Sequence, residues 1–258
     1  MNKRLIFLFI GLIVLVILIV LNSAVFVIKD ISVSSDYGGS WYNAEDIINA
    51  SSISEGRNIF ILSEKKAGEY IEDKNPYVRV TSIERKFPNK IIIHITLRVP
   101  VIAIKVSGTN DYLITDWELK VIDVAAQPDE LYKSAVKIKG VNVTVTGDAR
   151  DYIGTTLEDE ALDYIVELAD AAAQMGIRDE GLKTFFNSVD FSTVNHCFVK
   201  TNAGVTFIFV TGTDTAINEQ FQYVYSMFVE YALTDKERTS GYLYNDGSGW
   251  KWHTANPV

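Results

Sequence analysis

Hydrophobic residues crowd the start of the chain and then thin into shorter, periodic clusters. From Leu5 to Ile28 a run of 24 residues carries no charge and is almost wholly Leu, Ile, Val and Phe, set between Lys3-Arg4 and Lys29. A helix rises about 1.5 Å per residue, and a bilayer core takes roughly 20 residues to cross. The run therefore predicts one transmembrane helix over residues 5–27, with room for tilt. Lys3 and Arg4 hold the short end, residues 1–4, in the cytoplasm, which places everything after the helix on the far side. A cleaved signal peptide shares the basic start, and Asn22-Ser23-Ala24 loosely resembles a cleavage site. A signal h-region is shorter, about 7–15 residues, and Asn is large for that site, so an anchor is the better reading.

Beyond the run the periodicity changes. Ile31 and Val33 alternate with serines, as in a short strand. Ser34 to Ser40 reads as a turn. Asn43 caps a helix bearing Ala44, Ile47 and Ile48. Gly56 breaks the chain, and Ile59-Phe60-Ile61-Leu62 reads as an apolar plug. Ser63 caps a second helix, with Ala67, Tyr70 and Ile71 at helical spacing, which Asn75-Pro76 ends. Two strands follow, Tyr77 to Lys86 and Lys90 to Leu97, the second with Ile91, Ile93, Ile95 and Leu97 on one face. Phe87-Pro88-Asn89-Lys90 joins them as a turn with Pro at its second position. Strand–helix–helix–strand–strand in about 70 residues is a complete small α+β unit.

After Pro100 the pattern is strand-rich. Val101–Val106, Tyr112–Thr115 and Leu119–Val124 read as short strands. Thr155 and Glu158 form a possible capping box ahead of a helix burying Leu162, Ile165, Leu168 or Ala169, Ala172 and Met175. Val189–Phe191, His196–Thr201 and Val205–Val210 are strands again, the last two joined at Asn202-Ala203-Gly204. Ile217, Phe221, Val224, Phe228 and Ala232 mark another helix face. Gly241 to Trp252 is a last strand-like segment.

Charge narrows the function. The chain carries −9 overall, and without Lys3 and Arg4 its 22 basic residues face 33 acidic ones. That acidity argues against nucleic acid and against docking on anionic lipid, and it suits an exported domain kept soluble by repulsion. Cys197 is the only cysteine, so no intramolecular disulfide forms and the exported part relies on its core.

No catalytic constellation is visible. The chain has neither a nucleophile elbow nor a Walker loop. His94, His196 and His253 lack ligand spacing, which disfavours a metal site. Glu158-Asp159-Glu160 and Asp163 suit a first helical turn better than paired-carboxylate catalysis. Asp246-Gly247-Ser248-Gly249 is a turn signal. No catalytic, cofactor-binding or metal residue is therefore assigned, and no small-molecule substrate is expected. The sharpest feature is Tyr242-Leu243-Tyr244 followed by Trp250-Lys251-Trp252. Its four aromatics within eleven residues either pad a core or mark an exposed edge that a partner strand extends.

The stretch from Ile71 to Ala103 resembles the end of the POTRA domain in the FtsQ/DivIB family of bacterial cell-division proteins. It does so through Asn75-Pro76-Tyr77-Val78, Ile83-Glu84-Arg85-Lys86-Phe87-Pro88-Asn89, the Ile91–Ile95 strand and Arg98-Val99-Pro100-Val101-Ile102-Ala103. Tyr112-Leu113-Ile114-Thr115-Asp116 is similar to the entry of that family's second domain. The chain departs in having Leu97 before the Arg98-Val99-Pro100 motif and Glu118 after the Asp116 turn. The resemblance implies an α+β chain with a single N-terminal transmembrane helix. A POTRA domain (β-α-α-β-β) over residues 28–100 and a mixed β domain with flanking helices over 101–258 would follow it. It further implies a non-enzymatic divisome scaffold at the septum, binding FtsB/DivIC-type and FtsL-type bitopic proteins and helping regulate septal peptidoglycan synthesis. Its partner-binding residues would be Tyr242, Leu243, Tyr244, Trp250 and Trp252. The alternatives are a membrane-anchored envelope enzyme and a POTRA chaperone module of a transport system.

Overall fold

A computed structural model of the chain describes residues 3–37, 41–127, 129–212, 216–230 and 233–258, without the side chains of Lys3, Leu5, residues 17–24, Glu160 and Ala161. The tip of the turn expected at Ser34 to Ser40 and the last position of the Ile217–Ala232 helix face lie outside the described residues. The chain divides into two compact units, Met1–Arg98 and Val99–Val258.

The first unit opens with helix α1, Lys3–Ala24, whose described apolar side chains are exposed, Phe7 at 75% and Leu8 at 70%. Among the described residues no helix is long and apolar enough to cross a membrane. The continuous stretch with described side chains, residues 6–16, spans about 16 Å of a hydrocarbon core roughly 30 Å thick. The rest of the expected span, residues 17–27, lies partly outside the described side chains. The apolar run is also not one element: α1 stops at Ala24, Val27 bridges to Asn58, and Ile28 is buried. The uncharged stretch thus fuses a helix to the first core residue of the next fold.

That fold is a three-stranded sheet with two helices. Strand β1, Asp30–Ser35, lies parallel to β3, Lys90–Leu97, which pairs antiparallel with β2, Val78–Lys86, in the order β1-β3-β2. Helices α2, Ala44–Ala50, and α3, Glu64–Lys74, pack against β1, β2 and each other. Asn43 and Ser63 cap them as the sequence predicts, each side chain accepting a backbone N–H. The strand period of two turns Ile91, Ile93 and Ile95 inward, where they join Ile28, Ile47, Ile71, Val78 and Ile83 in one core. Ile31 and Val33 pack on it half-buried.

Reading Ile59-Phe60-Ile61-Leu62 as an apolar plug, with Phe60 in the core, is corrected by the structure. The Phe60 ring is 53% exposed and Ile61 is 82% exposed, while Ile59 is fully buried. The four-residue plug is a short 3₁₀ turn, Ile59–Ile61, which sends successive side chains in different directions, so one of the three enters the core.

The motif arginines hold this unit together. Arg85 donates from Nε to Ile59 O (3.1 Å) and from Nη2 to Leu62 O (2.7 Å), and it pairs with Glu64. Arg98, 6% exposed, donates to Glu72 (2.6 Å) and to Val78 O (3.2 Å), and the second Glu72 oxygen accepts Val80 N–H (2.8 Å). Asn75 closes α3 through its amide on Ile71 O. Phe87, Pro88 and Asn89 join β2 to β3, with a cis Phe87–Pro88 bond.

The second unit is built on a nine-stranded mixed sheet. Its strands are β4 (Ile102–Val106), β5 (Asp111–Thr115), β6 (Val121–Ala126), β7 (Val136–Val143), β8 (Phe186–Asp190), β9 (His196–Thr201), β10 (Thr206–Val210), β11 (Tyr242–Asn245) and β12 (Trp250–His253). Their order across the sheet is β12-β11-β10-β9-β8-β7-β4-β5-β6. Helices α5, Glu160–Gln174, and α7, Ile217–Val229, pack together over one core, with α7 against β10. The stripe Leu162, Ile165, Leu168, Ala169 and Ala172 is buried, as are Ile217, Phe221 and Val224. Short helices α4 (Glu130–Ser134), α6 (Glu180–Phe185) and α8 (Asp235–Thr239) were not legible from periodicity.

The capping box expected at Thr155 and Glu158 is absent: Thr155 Oγ1 donates to Tyr152 O, and α5 starts only at Glu160. The box that forms is at α8, between Thr234 and Glu237. Gly204, in the β9–β10 turn at φ 121°, faces the Thr239 carbonyl so closely that any Cβ would overlap it.

Candidate functional site

The C-terminal segment is two strands, not the single strand-like segment its sequence suggests. Asp246 to Gly249 reverse the chain, and β11 and β12 run antiparallel with Leu243 opposite Trp252 and Asn245 opposite Trp250. The turn is held by its own side chains. Asn245 Oδ1 accepts Gly247 N–H (3.0 Å), and Asp246 Oδ1 accepts the Ser248 N–H (3.0 Å) and hydroxyl (2.6 Å). Lys251 Nζ donates to Asp246 Oδ2 (2.9 Å). The Ser248 hydroxyl, then Lys251 and the Ser248 amide, hold the Asp246 carboxyl well below the usual carboxylate range.

This doubling changes which strand is free. β11 lies between β10, to which it is parallel with Phe207 opposite Leu243, and β12. Both its backbone edges are paired. β12 is an edge strand, as is β6 at the far side of the sheet, and among the described residues it leaves one row of backbone N–H and C=O groups open. Gly241, at φ 78°, lets β11 start against His253 O and the Trp252 indole, where a Cβ would collide with both.

The five expected partner residues divide by face. Leu243 is fully buried in the main core, so its side chain supports the sheet. Trp250 and Trp252 share that face by cross-strand pairing and pack half-buried on the core, Trp250 with its ring 6.0 Å from Phe209 and Trp252 donating Nε1–H to Ser240 O (2.8 Å). Tyr242 and Tyr244 take the opposite face, and Tyr244 lies between His196 (6.2 Å) and His253 (6.4 Å). Register places Phe198, Ile208, Tyr244 and Lys251 in one row across β9 to β12 on this face. The sequence reading missed His196, Phe198 and His253, whose separate positions give no local signal of a common face. His253 Nε2 is buried without a hydrogen-bond partner among the described residues.

Among the described residues no three of His, Cys, Asp or Glu come together as metal ligands. Cys197 is buried, and burial, then the nearby Asp190 charge, pushes its thiol far above the ordinary value.

Residues 28–98 match the POTRA domain of the FtsQ type. Over 55 residues, 21% of its length, the chain is 47% identical to the cell division protein DivIB of Clostridium tetani, covering 20% of that protein. Over 132 residues, 50% of its length, it is 30% identical to the cell division protein FtsQ of Corynebacterium glutamicum, covering 57% of that protein. The matches therefore span about a fifth and just over half of these relatives. The chain therefore carries an FtsQ-type POTRA domain and is similar, over part of its length, to bacterial cell-division proteins named FtsQ and DivIB.

Proposed function

We propose that the protein is a membrane-anchored scaffold of the division septum that works by binding. Its partners in this reading are small bitopic division proteins of the FtsB/DivIC and FtsL types, and through them it helps regulate septal peptidoglycan synthesis. α1 is the anchor. Its exposed Phe, Leu and Ile side chains need an apolar medium, and Lys3 and Arg4 keep its N-terminus in the cytoplasm. The two folded units are then extracytoplasmic, the first a POTRA domain over residues 28–100 and the second a β domain over 101–258.

The observation that carries the reading is the open edge of β12 beside the face that carries half-buried Tyr244, Phe198 and His253. A partner strand added at β12 gains main-chain hydrogen bonds, and its side chains reach both faces at the edge. Tyr242, Tyr244, Trp250 and Trp252 supply the aromatic surface on which it would seat. The test reads folding and binding separately. Tyr244→Ala should keep a normal melting temperature and weaken co-purification of FtsB-type and FtsL-type proteins by roughly thirtyfold, the loss of an anchor worth about 2 kcal/mol. Unchanged binding with a lower melting temperature would show that Tyr244 only packs.

A further inference from the structure

The aromatic cluster at the foot of α1 has no role in the site above. Phe26 follows the last residue of α1 by two positions. Its ring lies 5.1 Å from Phe60 and 6.2 Å from Phe87, and Phe60 and Phe87 are 5.3 Å apart. Phe60 (53%), Phe87 (57%) and Ile61 (82%) are exposed. Exposed apolar side chains scattered singly need no explanation, but a contiguous group does.

Hydrogen bonds staple all three segments to the exit of α1. Phe26 O accepts from Ile59 N (2.9 Å), Arg57 O from Ile28 N (2.8 Å), Asn89 O from Lys29 N (2.8 Å), and Ile28 O from Gly56 N (2.8 Å). The 56–61 loop and the 87–89 turn therefore cannot move away from the point where α1 ends.

Beside Ile61 opens a cleft of about 460 Å³ whose lining includes Arg57, Lys66, Ser52 and Ser63. The Arg57 and Lys66 side chains have no acidic partner among the described residues. Lys86 is exposed next to Phe87, and Glu55 is the acid of the same loop.

We propose that this face of the POTRA unit is seated in the interfacial layer of the membrane that α1 crosses. Phe60, Ile61 and Phe87 enter the boundary of the acyl chains, and Arg57, Lys66 and Lys86 meet lipid phosphates. The inference rests on α1 being a membrane span. Given that span, the occupant follows from continuity: a patch tied to the last residues of α1 is held at the bilayer surface at high effective concentration. Aromatic and aliphatic side chains flanked by cations are the composition of interfacial segments. The acidity of the chain as a whole opposes long-range attraction to anionic lipid, so the seat depends on tethering and apolar burial and not on electrostatic steering.

The buried Cys197 leaves the chain ready for single-site labelling. Full-length Ile61→Cys, Leu12→Cys and Lys74→Cys carry a nitroxide in vesicles of phosphatidylcholine and phosphatidylglycerol. Collisions with oxygen, which partitions into lipid, are compared with those of a water-soluble nickel chelate. Lys74 is an exposed residue ahead of β2, and Phe87 follows the other end of that strand, roughly 30 Å away. The expected result is an oxygen-to-nickel ratio severalfold higher at Ile61 than at Lys74, with Leu12 highest, and a fall at Ile61 toward the Lys74 value when Phe60→Glu is added. Lipid contact at Leu12 with an Ile61 ratio equal to that of Lys74 overturns the seat and leaves the span standing. Low collision rates with both reagents at Ile61 mean cover by another copy of the chain, which also overturns it. Water contact at Leu12 removes the span and the seat together.

Discussion

Ile59 and Phe60 are adjacent, similarly apolar and opposite in role. Ile59 is fully buried and Phe60 half-exposed, because consecutive residues of a 3₁₀ turn point in different directions. Ile59→Ala should lower unfolding free energy by about 2–5 kcal/mol, the cost of a large-to-small change in a packed core. Phe60→Ala should change it far less, since its partners are the exposed Phe87 and the half-buried Phe26. Urea unfolding of the two variants checks the pair, and equal losses would return Phe60 to the core. Asp116 shows the same dependence on geometry. It is buried and accepts the Glu118 and Lys120 N–H groups, and the left-handed residue of its turn is Leu119 at φ 64°, not Glu118. Glu118 therefore sits in the turn without left-handed strain.

The terminal hairpin depends on one turn and one charge. Asp246 is a surface residue and its carboxyl is held low, chiefly by the Ser248 hydroxyl and then by Lys251. A depressed carboxylate contributes stability that is present above its unfolded pKa of about 4 and is lost as pH falls through the folded value. The protection of the Ser248 and β12 amides, taken relative to unfolded-peptide exchange at the same pH, should therefore fall as pH drops below about 4. Asp246→Asn should flatten that dependence, and salt should weaken it because the pair is exposed. An unchanged profile in Asp246→Asn would assign the protection to the strand pairing alone. This element was half legible. Asp246-Gly247-Ser248-Gly249 reads as a turn, but four-residue strands on either side give too short a period to separate from one longer strand.

At the scale of the molecule, the chain is two compact units, the first of which opens with an apolar helix. If α1 is the span proposed above, a reporter fused after Val258 should be active only outside the cytoplasm. Activity of a cytoplasm-only reporter there would reject the topology, and release of a shorter soluble form would favour a cleaved signal. The order β12-β11-β10-β9-β8-β7-β4-β5-β6 shows where local reading ends. The sequential β9–β10 hairpin was visible from its Asn202-Ala203-Gly204 turn. The parallel pairings of β4 with β7 and of β10 with β11 join segments separated by long connections. Nothing in the local pattern states which strands those are.

The sequence alone determined the strand–helix–helix–strand–strand order, the capped starts of α2 and α3, and the inward row Ile91, Ile93 and Ile95. Those features follow from periodicity and from side chains that bond their own neighbours. It also carried the likeness to the FtsQ/DivIB proteins, because the Asn75–Pro100 motif is local and specific. Tertiary structure alone decided what the conspicuous residues do. Arg85 and Arg98 became internal ties, Leu243 a core residue, Phe60 a surface one, and β12 instead of β11 the free edge. Each of these outcomes depends on which distant backbone lies alongside, and that pairing is fixed by the burial of the whole core, not by any segment read by itself.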